Sequence, residues 1–231
     1  MRSPHSRSMK TPLNRRSFLH TAGTSTALAV AGSAHVAVAV ETDRVALVIG
    51  IACSPRAGKT TAQAVRVALE AAAAVSPRIR TRFIDLGGRR IAGWSPQMEP
   101  DDFDTILPTL KDPELAGLIL GSPCYFRSLS SLCKAFIERC MPLRDAPSTL
   151  SDKWVGALAV AGNRNGGQEL VVQQILTAML SYGMIPVGGA APSLLGGTLW
   201  NSDGDDISRD ETGMNSARLL GARLGKLAST R

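Results

Sequence analysis

Two uninterrupted apolar runs constrain this chain most: Val45-Ala-Leu-Val-Ile-Gly50 and Leu115-Ala-Gly-Leu-Ile-Leu-Gly121. Neither alternates apolar with polar residues, so a strand built from either is buried on both faces. Such strands belong to parallel sheets whose faces are covered by helices. The intervening sequence supplies those helices. Residues 60–74 are Ala-rich and predict a helix, as do residues 129–141, 168–182 and 215–227, with a short one at 102–111. Residues 79–86 and 154–161 predict further strands, the first less apolar and nearer an edge, and residues 184–188 a short fifth. That is βα repeated five times. Right-handed crossovers then give an α/β three-layer sandwich, a doubly wound five-stranded parallel sheet. Residues 190–212, rich in Gly, Ser and Asp, are expected to form a loop or an oligomer contact, or to be partly disordered.

The net charge of +7 at first suggests a nucleic-acid or membrane partner. Its distribution argues otherwise. Residues 1–39 hold Arg2, Arg7, Lys10, Arg15 and Arg16 and no acid; removing these five from 26 basic residues leaves 21 against 19 acidic, a net of +2. All three histidines (His5, His20, His35) also lie there, so the body from Val40 onward has none. That excludes a Ser-His-Asp triad, a Cys-His pair and His-ligated metal in the body. The leader itself pairs Arg15-Arg16 with Ser17-Phe18-Leu19, then a weakly apolar run to Val40, with the small-x-small pattern Ala37-Val38-Ala39. It resembles a twin-arginine signal, which exports proteins already folded. The expectation is a signal peptide at 1–39, a single domain at 40–231, an exported, periplasmic location and no stable membrane insertion after cleavage. An uncleaved anchor helix is the alternative.

In doubly wound sheets ligands sit beyond the carboxyl ends of the strands. Three loops there carry unusual residues. The first runs Cys53-Ser54-Pro55-Arg56-Ala57-Gly58-Lys59-Thr60-Thr61 and opens a helix, a natural phosphate site. Gly58-Lys59-Thr60 fits a nucleotide-triphosphate P-loop, but Cys53 stands where its first glycine belongs. The alternative is a monophosphate nest built on Ser54, Thr60 and Thr61. The second loop, Gly121-Ser122-Pro123-Cys124-Tyr125-Phe126-Arg127-Ser128, places two aromatics where a planar ligand would lie. The third, Ala161-Gly162-Asn163-Arg164-Asn165-Gly166-Gly167-Gln168-Glu169, has three glycines that allow close backbone approach to a flat ring.

Taken together, these stretches resemble the flavodoxin-like NAD(P)H-dependent FMN reductase family, and its iron–sulfur flavoprotein-like branch in particular. Ser54-Pro55-Arg56-Ala57-Gly58-Lys59-Thr60-Thr61 is similar to the family's phosphate loop. Ser122-Pro123-Cys124-Tyr125-Phe126 with Lys134, Phe136, Ile137, Glu138 and Arg139 is similar to its second loop and following helix. The third match is residues 153–183, with Gly166-Gly167-Gln168-Glu169. The resemblance implies non-covalent FMN, its phosphate at Ser54, Arg56, Gly58, Lys59, Thr60 and Thr61. The ring would lie by Pro123, Cys124, Tyr125, Phe126, Gly162, Asn163, Gly166 and Gly167. It further implies hydride or electron transfer from NAD(P)H or another donor to a small-molecule acceptor such as a flavin or quinone, and a homodimer or homotetramer. No side chain is expected to be catalytic, because the flavin carries the chemistry.

Residues 91–99 lack the branch's cluster cysteines, so no iron–sulfur cluster and no other metal is expected. Nucleic acid is not expected as a partner. Cys53, Cys124, Cys133 and Cys140 form no CxxC pair and are expected to be small buried hydrophobes, with Cys124 nearest the flavin. The alternative function is a flavodoxin-like electron carrier without its own substrate. Typical carriers are strongly acidic, and this body is near neutral. A hydrolase using Ser54 or Cys124 would lack a base.

Overall fold

The computed structural model describes residues 44–144, 148–201 and 204–230. The leader, with its twin-arginine and cleavage motifs, lies outside the described residues.

The two apolar runs form the centre of the sheet. Strand β1 (Ala46–Ala52) pairs in parallel with β2 (Ile79–Asp85) on one side and β3 (Leu115–Pro123) on the other. Strand β4 (Trp154–Ala161) follows β3, giving the order β2-β1-β3-β4 before the fifth lane. β1 and β3 are buried along their whole length. β2, at the sheet edge, is buried only at Ile79 and Ile84 and exposes Arg80, Thr81 and Arg82, in keeping with its more polar sequence.

The fifth lane departs from expectation. It is split between β5 (Ile185–Val187), which pairs with Trp154–Gly156, and β6 (Gly197–Trp200), which pairs with Leu158–Ala161. Residues 190–212 were expected to be irregular, yet they supply β6. Four residues are too few to show a period, and only Gly197 and Leu199 face inward. The strand holds because helix side chains bind its outer edge. Thr198 N–H donates to Ser216 Oγ at 3.0 Å and Trp200 N–H to Asp210 Oδ2 at 2.7 Å.

Helices α1 (Thr60–Ala73) and α5 (Glu211–Ala228) cover one face. Small residues let them approach closely: a Cβ on Gly221 would lie 1.9 Å from the Ala68 carbonyl oxygen, and one on Gly225 2.6 Å from that of Ala72. The opposite face carries α3 (Ser131–Arg139) and α4 (Gln168–Leu180), with a short helix α2 (Leu107–Leu110) after the 3-10 turn Asp102–Thr105. Two helix starts differ from the sequence expectation because caps set them. Ser130 Oγ accepts from Cys133 N–H, so α3 begins at 131 rather than 129. Asp210 accepts from Gly213 N–H, so α5 begins at 211 rather than 215.

Candidate flavin site

The first loop leaves β1 at the carboxyl edge. Cys53 continues the ladder, donating its N–H to Gly121 O at 2.7 Å, and its side chain is fully buried. The tight turn that a P-loop's first glycine makes is therefore absent at this position. The chain turns instead at Ser54, whose buried hydroxyl accepts from Arg56 N–H at 3.2 Å. Gly58 takes the left-handed conformation (φ 69°). Asp85, at the end of β2, holds the loop from beneath: its two oxygens accept from Gly58 N–H at 2.7 Å and Gly87 N–H at 2.9 Å. Gly87 must be glycine for this approach, since a Cβ there would lie 2.3 Å from Ala57 N.

Lys59 is the N-cap of α1 and makes no side-chain cap bond. The first-turn amides of α1, which lack intrahelical acceptors, are thus not capped by it. Thr60 and Thr61, both buried, begin the helix. Hydroxyls, uncapped amides, a helix dipole and two cations form a donor set that fits a phosphate monoester. An acceptor already faces this set: Asp205, 149 positions beyond Arg56, pairs its carboxylate with Arg56 Nη1 at 2.6 Å and Lys59 Nζ at 3.4 Å. The hydrogen bond from Arg56 pulls the Asp205 carboxyl below its ordinary range, and the same bond firms the charge on Arg56. Sequence reasoning named neither Asp85 nor Asp205 as loop partners, since neither carries a motif tied to the loop.

The second and third loops meet each other. Pro123 is buried as the last residue of β3, and Ser122 Oγ accepts from Ser130 N–H at 3.0 Å. Tyr125 and Ser128 exchange backbone hydrogen bonds at 3.0 and 2.9 Å around Phe126 and Arg127, whose φ values are 51° and 61°. Two successive positive φ angles define a hairpin turn that normally prefers Asn-Gly, so a bulky pair here is strained. Phe126 is fully exposed, at 104%.

Gly167 (φ 101°) packs against Arg127, where a Cβ would lie 3.0 Å from Cα. A Cβ on Gly166 would lie 2.5 Å from that of Ala161. Gln168 is buried and ties the loop inward, donating to Asn163 O at 2.8 Å and Leu199 O at 3.1 Å. Gly162 O accepts from Trp200 Nε1 at 3.0 Å, and an added Cβ on Gly162 would meet nothing.

The structure therefore brings Ser54, Arg56, Gly58, Lys59, Thr60 and Thr61 into one loop. Between the second and third loops, Cys124 meets Gly166 and Arg127 meets Gly167, while Pro123 and Tyr125 belong to the second loop and Gly162 and Asn163 to the third. Phe126 alone points wholly to solvent.

Cys124 Sγ donates to Gly166 O at 3.0 Å, and burial pushes its pKa up. Cys53, Cys133 and Cys140 are fully buried, and the four thiols are free. The protein should therefore react slowly with iodoacetamide at pH 7, at least about tenfold slower than an unstructured cysteine peptide, since thiolate is the reactive form. Rapid stoichiometric alkylation, mapped to Cys124 by mass spectrometry, would contradict the neutral, hydrogen-bonded thiol.

A doubly wound parallel sheet with a hydroxyl-rich loop after β1 and glycine and aromatic loops after β3 and β4 defines a flavodoxin-like, flavin-binding class. Residues 46–196 match the family model described as NADPH-dependent FMN reductase. An iron–sulfur flavoprotein of Methanocaldococcus jannaschii is 38% identical over 192 residues, covering 78% of this chain and 96% of its own. A flavodoxin, WrbA-like protein from Agrobacterium tumefaciens superposes with TM-score 0.55 at 16% identity, over 80% of this chain and 97% of that one. A flavodoxin from the domain Archaea gives TM-score 0.51 at 13% identity, over 79% and 98%. These two show the fold alone. The chain belongs to the NADPH-dependent FMN reductase family.

The name of the Methanocaldococcus relative includes a cluster. Among the described residues here no group of three or more His, Cys, Asp or Glu side chains could hold a metal ion, and residues 91–99 contain no thiol. These donors do not fit an iron–sulfur cluster, and no step below runs through one.

Proposed function

We propose that this chain holds FMN non-covalently at the carboxyl edge of the sheet and passes hydride or electrons from NAD(P)H, or another donor, to a small-molecule acceptor such as a flavin or quinone. The observation that carries the reading is the donor set of loop 54–61: buried Ser54, Thr60 and Thr61 at a helix start without a side-chain cap. When bound, the flavin supplies the redox chemistry. The chain's own residues bind and orient it. Ser54, Arg56, Lys59, Thr60, Thr61 and the loop amides hold the phosphate. Pro123, Cys124, Tyr125 and the 162–167 rim border the ring. A body without histidine is consistent with chemistry that asks no side-chain base.

The leader adds an export step by the twin-arginine route to the periplasm. Nicotinamide nucleotides are scarce there, so a quinol or a reduced redox protein is then the better donor. Exposed Phe126, Leu180 and Leu194 are candidates for contact between copies in a homodimer or homotetramer.

The test is an absorbance spectrum of the protein lacking residues 1–39, with FMN added if it is colourless, followed by anaerobic titration with NADH and NADPH. Flavin bands at about 375 and 450 nm, bleached by either nucleotide, are expected. Bound flavin that resists both nucleotides would replace the nicotinamide donor by another, or favour the electron carrier. Absence of flavin binding at micromolar concentration would overturn the reading.

A further inference from the structure

Asp205 sits where the function proposed above would place an anion. One carboxylate oxygen is 2.6 Å from Arg56 Nη1 and the other 3.4 Å from Lys59 Nζ, so a single acid covers both cations of the loop. Its main-chain carbonyl accepts from Gln63 Nε2 of α1 at 3.1 Å, which fixes the residue over the start of that helix. Gly204 and Asp205 have φ of 69° and 59°. For a residue with a side chain that backbone is sparsely populated, and it persists where surrounding contacts select it. The other acid on the loop, Asp85, is differently engaged: both its oxygens are bound to the Gly58 and Gly87 amides and hold the loop's shape.

We infer that Asp205 is a resident counter-ion of the phosphate loop, which a flavin phosphate must displace, and that Asp205 thereby sets the preference between FMN and flavins lacking the phosphate. This rests on the FMN reading. The Arg56 and Asp205 side chains are 48% and 28% exposed, so the pair is solvated and exchanges readily. A phosphate monoester brings up to two charges and three acceptor oxygens against one charge and two oxygens. It wins the site, but by less than it would at an unoccupied loop. Riboflavin, with no phosphate, meets no such competition.

The experiment compares the wild type with Asp205→Asn, using FMN, riboflavin and inorganic phosphate as probes in fluorescence quenching and calorimetric titrations. Asp205→Asn should tighten FMN about tenfold and leave riboflavin within about twofold, as removal of one like charge beside a dianion requires. Asp206→Asn is the control, because that carboxylate accepts from Ser208 N–H and Oγ, whereas Arg56 and Lys59 pair with Asp205. It should leave FMN affinity unchanged. FMN affinity equal or weaker in Asp205→Asn overturns the inference while leaving the flavin reading intact, and so does an equal gain in Asp206→Asn. If neither protein takes up flavin but Asp205→Asn gains affinity for inorganic phosphate, the counter-ion holds and the flavin reading falls. If neither protein binds any probe, both fall.

Discussion

Replacing Arg56 with glutamine should weaken FMN binding about thirtyfold while riboflavin binding stays within about twofold. The guanidinium sits on the loop that follows Ser54, at the start of α1, where the phosphate would be held. A hydrogen bond to a charged group contributes about 2 kcal/mol, which corresponds to about thirtyfold in affinity. The substitution has a second effect of the same sign. It removes the stronger partner of Asp205, leaving that carboxylate closer to uncompensated beside an incoming dianion. Lys59→Gln should cost less, about threefold, because its ammonium is a flexible point charge that lies farther from Asp205, at 3.4 Å. Arg56 is half exposed, so thermal stability should hardly move. The measurement is the dissociation constant for each flavin by fluorescence quenching. Parallel weakening of FMN and riboflavin would mean that Arg56 shapes the loop rather than holding phosphate. An unchanged FMN constant would place the phosphate elsewhere.

The same loop shows where sequence reading succeeds and where it stops. Ser54, Thr60 and Thr61 are legible because three hydroxyls at the junction of an apolar strand and a helix are more than a single N-cap requires. Arg56 is legible as a charge, but its partner is not: Asp205 lies 149 positions away in a Gly- and Asp-rich stretch without periodicity. Asp85 could be seen at the end of a weak strand, but its bonds to Gly58 and Gly87 depend on β2 pairing with β1 in one register, which no local pattern records. β1, β3 and β4 declare themselves by continuous apolar runs. β6 does not, because four residues whose outer edge is bonded to Ser216 and Asp210 need no hydrophobic signature. The Phe126–Arg127 turn is hidden for a different reason. Local preference disfavours two bulky residues at positive φ, and contact with Gly167, the Tyr125–Ser128 bonds and the Gln174 bonds to Ser128 and Leu129 sustain them.

The stretch Lys134 to Arg139 was matched to the family as a string; its physical role is to anchor residues 91–104, and one substitution there should be costly. Glu138 Oε2 accepts from Trp94 N–H at 3.0 Å. Arg139 bonds to Asp101 and, at 3.1 Å, to Asp104, and lies over the Phe103 ring at 5.0 Å. Arg139 and Asp101 side chains are 9% and 2% exposed. Asp101 also accepts from Ala92 N–H and Phe103 N–H at 2.9 Å each, capping the 3-10 turn. Asp101→Ala therefore leaves the buried guanidinium to the half-exposed Asp104 and removes the acceptor of two amides. Breaking one side of a buried pair costs about 3–5 kcal/mol. For a domain of this size that lowers the melting temperature by about 8–15 °C. Asp101→Asn keeps an acceptor for the turn and loses only the charge, so it should fall between that variant and the wild type. The double variant Asp101→Ala/Arg139→Met should recover part of the loss, since no unpaired charge is left buried. Denaturant titration of these four proteins and of Arg139→Met alone, which closes the cycle, decides it. A cost below about 1 kcal/mol for Asp101→Ala, or strict additivity in the double variant, would show that the pair is solvated in solution and that residues 91–104 are held by packing and by bonds other than this pair, such as that of Glu138 to Trp94.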